Sequence, residues 1–193
     1  MAKYTQKAII ESFMELLKKK SLDKITVKEI IELAEINRNT FYYYFQDIYD
    51  LLDSAFKEES VKFRKETDLN NDFYQEYLRT VNFLLDHNDA IIHIYNSRSR
   101  DVIKTYLESA AGYFIGRFVN ESAEGSGISQ KGKDYIVYFY TDAIIGVTLR
   151  WIEGRMKESK KVLMKTVSDS FNATVNEMIK TYINGHPEEL REI

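Results

Sequence analysis

Arg38, Asn39 and Thr40 stand in a row directly before Phe41-Tyr42-Tyr43-Tyr44-Phe45. The chemistry these side chains offer is recognition by hydrogen bonds. A guanidinium donates two parallel bonds to guanine or one to a phosphate, a carboxamide reads a base edge, and a threonine offers its hydroxyl or presents its methyl to thymine. Each tyrosine carries a ring that packs on sugar or a base methyl and a hydroxyl that reaches a phosphate oxygen. Five consecutive aromatics cannot all be buried on one helix. Phe41 and Phe45, four apart, are the expected inward pair, which leaves Arg38/Tyr42 and Asn39/Tyr43 on more exposed faces. The bland alternative, that the run is only core, leaves an exposed aromatic cluster unexplained.

Positioning such a run takes a rigid local frame. Thr26 followed three residues later by Glu29 predicts a capping box at the start of a short helix, with Val27, Ile30, Ile31 and Ala34 as its buried face. The turn Glu35-Ile36-Asn37 follows, with Ile36 as an apolar plug. Asn37 is a good N-cap for a helix over about 38–45. A helix over about 5–20 precedes them, its apolar stripe made by Ile9, Phe13, Leu16 and Leu17. Asp47 caps a longer helix to about residue 65, with Ile48, Leu51, Leu52, Ala55 and Phe56 packing back. Two short helices joined in this way place the second in the major groove of DNA. Thr26 and Lys28, at the positive end of the first of the pair, are placed to touch the phosphate backbone. The candidate DNA-binding set is Thr26, Lys28, Asn37, Arg38, Asn39, Thr40, Tyr42, Tyr43 and Tyr44.

Composition excludes much else. The chain has 193 residues and no cysteine, so disulfides, thiolate nucleophiles and cysteine metal sites are ruled out. Three histidines and no HExxH, Walker-type or GxSxG pattern leave no case for an enzyme, a metal site or a cofactor. One proline and eight glycines favour an all-helical fold. The N-terminal segment is amphipathic and carries Glu11 and Glu15, unlike a signal peptide, and no apolar run reaches membrane length; the expected location is the cytoplasm. The net charge of −3 is unusual for a nucleic-acid binder. Residues 1–66 hold twelve basic and twelve acidic side chains. Any basic footprint is therefore local, drawn from Lys18, Lys19, Lys20, Lys24, Lys28 and Arg38.

The segment TVKEIIELAEINRNTFYYYFQDIYDLL resembles the DNA-binding region of the TetR (tetracycline repressor) family of transcriptional regulators. Thr26, Ile30, Ala34, Ile36, Thr40, Phe41, Tyr42, Tyr44, Phe45, Asp50 and Leu51 carry the resemblance, which covers about residues 5–56. It implies an N-terminal three-helix domain (1–48), a connecting fourth helix (about 47–65) and a larger helical domain (66–193) that dimerises and often binds an effector, about nine helices in all. Three positions depart from the family pattern. Glu35 replaces the frequent turn glycine, which predicts a less left-handed turn. Asn39 replaces a frequent Gly or Pro and adds a possible base reader. Ile48 stands where a phosphate-contacting Lys is common.

Asp68 to Asp72 reads as a polar hinge. Helical patterns follow at roughly 72–87, 89–97 and 100–121, then the loop Glu121–Ser129, then about 130–156 and 160–184. The last two helices resemble those of an activator-like subgroup associated with dihydroxyacetone kinase genes, through Trp151, Gly154, Met156, Lys157 and Ser159, with Arg155 inserted. The 130–156 helix is apolar on most faces and must be buried on more than one side. Leu163, Val167, Phe171, Val175, Met178 and Tyr182 form a stripe on the last one. Two such helices per subunit make a four-helix dimer interface, or else an intrachain core. His93, Tyr95, Tyr106, Tyr113, Phe114, Arg117, Tyr138 and Trp151 are the candidate lining of an effector pocket. The sequence therefore reads as a homodimeric, ligand-responsive repressor acting on double-stranded operator DNA. The alternative is a TetR-like coactivator or adaptor that has lost autonomous operator binding and works through a partner protein.

Overall fold

The computed structural model describes residues 2–186, so residue 1 and residues 187–193 of the expected domains lie outside it. Among the described residues the regular structure is entirely helical. The helices are α1 (Ala2–Lys19), α2 (Val27–Leu33), α3 (Arg38–Tyr44), α4 (Ile48–Lys65), α5 (Phe73–Asp86), α6 (Asn88–Tyr95), α7 (Asp101–Ser122), α8 (Gln130–Glu153) and α9 (Lys160–Gly185), with a 3₁₀ turn at Leu22–Lys24. This is the expected all-α architecture, with an N-terminal helix-turn-helix and a larger helical region after it. Two compact units are present, one made of residues up to 65 together with 83–106, the other of 66–82 with 107 onward. Segment 83–106, grouped by sequence with the C-terminal domain, thus gathers with the N-terminal helices.

In the first unit α1 packs on α2 and α6, and α2 on α3. Ile9, Phe13 and Leu17, one helical turn apart, are wholly buried, as are Ile30, Phe41, Leu51 and Leu52. Removing a ring such as that of Phe41 from this core costs about 3–5 kcal/mol. Phe56 meets Tyr106 edge to face at 5.7 Å, and Phe83 lies 4.7 Å from the same ring. His93 of α6 bonds through Nδ1 to the Leu17 carbonyl at 2.6 Å. That satisfies an acceptor in the last turn of α1 that the helix itself leaves open.

The second unit is built around stacked aromatics. Phe73 of α5 lies parallel to Phe171 of α9 at 4.1 Å and meets Phe114 of α7 edge to face at 5.5 Å. Tyr140 of α8 completes the cluster, 4.8 Å from Phe171. Two hydroxyl pairs cross the packing, Tyr77 with Thr148 at 2.9 Å and Tyr140 with Thr174 at 2.8 Å. Burial pushes the Tyr77 phenol up to about 12, against the opposing pull of Thr148, so it stays protonated. At Gly132 α8 and α9 come so close that a Cβ would meet the Tyr182 ring at 2.6 Å.

Candidate nucleic-acid interface

The frame around α3 forms as the local sequence dictates. The Thr26 hydroxyl accepts the Glu29 N–H at 3.3 Å, and the Glu29 carboxylate accepts the Thr26 N–H at 3.0 Å. Asn37 Oδ1 accepts the Thr40 N–H at 2.8 Å and the Thr40 hydroxyl at 3.0 Å. Phe41 and Phe45 point inward as expected. Helix α3 stops at Tyr44, one residue earlier than predicted, because Phe45 takes extended backbone (φ −137, ψ 137) to enter the core.

Two expectations fail. Glu35 does not relax the turn: its φ is 53, the left-handed region. The Ile36 N–H reaches back to the Ile31 carbonyl at 3.0 Å, so the helix ends in a Schellman closure with Glu35 where glycine is preferred. Closing α2 tightly enough to bring α3 across it decides the geometry, and the side chain tolerates it. Second, only Ile30 of the expected α2 face is buried; Val27, Ile31 and Ala34 are half-buried, as is the turn plug Ile36. Val27 and Ile31 instead floor an open cleft of about 390 Å³ whose other walls are Thr26, Lys28, Arg38 and Tyr42.

That cleft brings together four of the nine candidate residues. Arg38 Nη2 lies 3.5 Å from the Tyr42 hydroxyl, and the guanidinium sits 5.6 Å from the Tyr42 ring centre. Lys28 is exposed, with a loose pair to Glu32 at 3.8 Å. Tyr43 is 80% exposed, the most outward aromatic of α3, and its ring meets half-buried Tyr44 edge to face at 5.0 Å. Asn39 is exposed. Thr26, Asn37 and Thr40 are already engaged in caps, so what they offer outward is a lone pair or an amide rather than a free hydroxyl proton. Tyr49, exposed on the first turn of α4, was passed over in the sequence. Its signal was its place off the Ile48-Leu51-Leu52-Ala55 stripe.

The charges near the cleft are partly neutralised from within. Lys18 pairs with Glu15, Lys20 with Glu29 and Lys28 with Glu32. Lys19 adds to the pull of Lys18 on the Glu15 carboxylate. Lys20, then the Thr26 hydroxyl and N–H, hold the Glu29 carboxyl down at about 2. Asp47 Oδ1 accepts the Tyr49 and Asp50 N–H groups, and Asp50 accepts that of Gln46, so carboxylates of the chain itself sit at the start of α4. Beside them Ile48 supplies no cation.

The eight candidate effector residues do not gather in one unit. His93, Tyr95 and Tyr106 belong to the first, and His93 is committed to Leu17. In the second, Phe114 and Trp151 are buried, whereas Tyr113 and Tyr138 are exposed. Adjacent positions such as Tyr113 and Phe114 point apart on a helix. Arg117 is spent on the backbone, donating to the Leu69 carbonyl at 2.7 Å and the Asn71 carbonyl at 2.8 Å. Trp151 Nε1 donates to the Glu158 carbonyl at 3.1 Å. A groove of about 360 Å³ lies elsewhere, between α8 and α9, lined by residues that include Phe139, Ala143, Val147, Leu163, Val167 and Phe171.

Comparison with known proteins agrees with this geometry. Residues 9–55 match the family described as bacterial regulatory proteins, tetR family, and residues 71–173 match a family described as transcriptional regulator C-terminal region. The HTH-type dhaKLM operon transcriptional activator DhaS of Lactococcus lactis is 35% identical over 70 residues, a stretch covering 36% of this chain and 36% of that protein. The alignment thus spans about a third of the relative's length. The crystal structure of a tetR-family transcriptional regulator from Streptomyces coelicolor superposes with a TM-score of 0.61 at 15% identity, over 97% of this chain and 91% of that one, which shows a shared fold. No helix among the described residues is long and apolar enough to cross a membrane. With both its helix-turn-helix and more than half its length matched, the chain belongs to the TetR family of transcriptional regulators.

Proposed function

We propose that this regulator binds double-stranded operator DNA as a homodimer in the cytoplasm, as a repressor released by a small ligand, by recognition and not by catalysis. The division of labour we propose is 1–48 for DNA, α4 as connector and 66–193 for dimerisation and effector response. The observation that carries the reading is the cleft uniting Thr26, Lys28, Arg38 and Tyr42 beside exposed Tyr43. A phosphate entering it meets two cations and a phenol, while Asn39 and Tyr43 face the bases. The apolar groove between α8 and α9, flanked by exposed Tyr135, Tyr138, Phe139 and Val147, supports dimerisation through these two helices. Two-fold symmetry then sets the recognition helices roughly 34–36 Å apart. Ligand-driven release requires that the effector bind the off-DNA state more tightly.

A second reading, a TetR-like coactivator or adaptor without autonomous operator binding, is favoured by one set of contacts. The starts of α2, α3 and α4 are capped by side chains of the chain itself, and Ile48 adds no charge there. The relative's name, an HTH-type operon transcriptional activator, bears on the sign of regulation and not on operator binding. Salt-titrated binding to the region upstream of the protein's own gene separates the two. Sequence-dependent binding that falls steeply with salt supports the operator reading. No binding at low salt, with a partner protein retained on the bait, sinks it.

A further inference from the structure

Segment 67–72 joins α4 to α5, and its sequence, TDLNND, is that of a flexible hinge. In the structure it is fastened at nearly every polar group. Arg117 of α7 forks onto two of its carbonyls, those of Leu69 and Asn71. Glu76 of α5, wholly buried, accepts the Asn71 side-chain amide at 2.9 Å and Arg79 at 2.8 Å. Arg79 also reaches the Thr67 hydroxyl at 3.3 Å. Asp68 folds the segment on itself through the Asn70 N–H at 2.9 Å, and Asp72 exchanges bonds with Gln75 to start α5. Meanwhile the Leu69 side chain is 74% exposed. The segment is therefore held by charge-assisted hydrogen bonds to its backbone and amides rather than by apolar burial.

That distinction matters for how it behaves. Apolar contact tolerates small displacements, whereas a planar fork on two carbonyls is directional and weakens steeply once its geometry is lost. Arg117 pairs with neutral carbonyls here, and its Nε is buried without a partner, so the guanidinium is not fully satisfied in the closed arrangement. A buried carboxylate such as Glu76 tolerates loss of its cation poorly, which links Arg79, Asn71 and Thr67 into one unit.

We propose that segment 67–72 is a two-state latch, closed by Arg117 and the buried Glu76–Arg79 pair, whose residues open together as one unit. Its use in regulation rests on the DNA-binding reading above; its existence does not. Amide hydrogen exchange on the full chain tests it, with Arg117→Gln and Glu76→Gln compared to wild type. The expected result is exchange in 67–72 faster by about tenfold or more in both variants, with the amides of α8 and α9 unchanged. Unchanged exchange in 67–72 overturns the latch. So does equal acceleration throughout α5 and α7, which marks a general structural brace. Should Arg117→Gln lose cooperative melting, Arg117→Lys, which keeps the cation but not the fork, takes its place under the same criteria. Operator affinity is the second readout. If wild type binds and a variant with a loosened segment binds equally well, the regulatory coupling is overturned; if wild type binds no DNA, the function reading fails while the exchange result stands.

Discussion

Thr26 and Glu29 cap each other, the hydroxyl taking the Glu29 N–H and the carboxylate returning to the Thr26 N–H, and Lys20 closes on the same carboxylate. One half-buried acid thus ties the end of the α1 region to the start of α2. It also occupies the anion-attracting end of α2.

The acid limb of stability follows from that contact. The folded-state pKa of Glu29 is held at about 2 against an ordinary 4.5, first by Lys20, then by Thr26. A depressed carboxylate stabilises the fold above the unfolded pKa, and the contribution disappears as pH falls through the folded one. Between pH 4.5 and about 2 the wild-type melting temperature should therefore drop more than that of Glu29→Gln, while above pH 5 the variant should be the less stable. Thermal melts of both proteins across this range check it; parallel curves would mean that Lys20 does not hold the carboxylate in solution.

Three non-glycine residues carry left-handed backbone at helix ends, Glu35 (φ 53) after α2 and the consecutive pair Arg155 (φ 56) and Met156 (φ 53) after α8. At the second site Gly154 keeps an ordinary φ of −70, so Arg155 and Met156 bear the strain that glycine carries more easily. Glu35→Gly and Arg155→Gly should each stabilise by about 0.5–1 kcal/mol, the relief being partly offset by greater freedom of the unfolded chain. Urea unfolding measures this, and a loss of stability in both variants would contradict it.

Arg38 and Tyr42 line the cleft and lie outside the core. Replacing both by Ala should abolish operator binding, the arginine alone accounting for about 1–3 kcal/mol of a bidentate contact, and leave the dimer intact. Fluorescence anisotropy together with sedimentation provides the check. Retained affinity removes these residues from the interface.

Restoring a cation beside the start of α4 tests how far the carboxylates there limit affinity. Ile48 is only half-buried, so Ile48→Lys is compatible with the fold. With one added lysine per half-site, the slope of log affinity against log salt should steepen by about two in a dimer. An unchanged slope places Ile48 away from phosphate.

Phe139 is 48% exposed within one chain and lines the groove between α8 and α9. Phe139→Asp should yield a folded monomer, because a carboxylate tolerated at a surface is costly inside an apolar interface. Analytical ultracentrifugation at micromolar concentration reads the outcome; a variant that stays dimeric moves the interface off this groove.

Much was legible in the sequence because it is local. Helical periodicity marked nine helices to within about three residues at either end, Thr26, Asn37 and Asp47 announced the caps they make, and the pairing of Phe41 with Phe45 sorted inward from outward aromatics. Each depends on residues within a turn or two of one another. Tertiary structure alone decided the rest. The crossing of α2 and α3 put Glu35 in left-handed backbone and opened Val27 and Ile31 to the cleft. Packing of α6 on α1 took segment 83–106 into the N-terminal unit and committed His93, while contact between α7 and the 67–72 segment turned Arg117 from a candidate ligand group into a backbone clamp. The commitments of Arg117 and His93 rest on contacts between residues 46 and 76 positions apart, and no periodicity within a single helix carries information about which partner lies across from it.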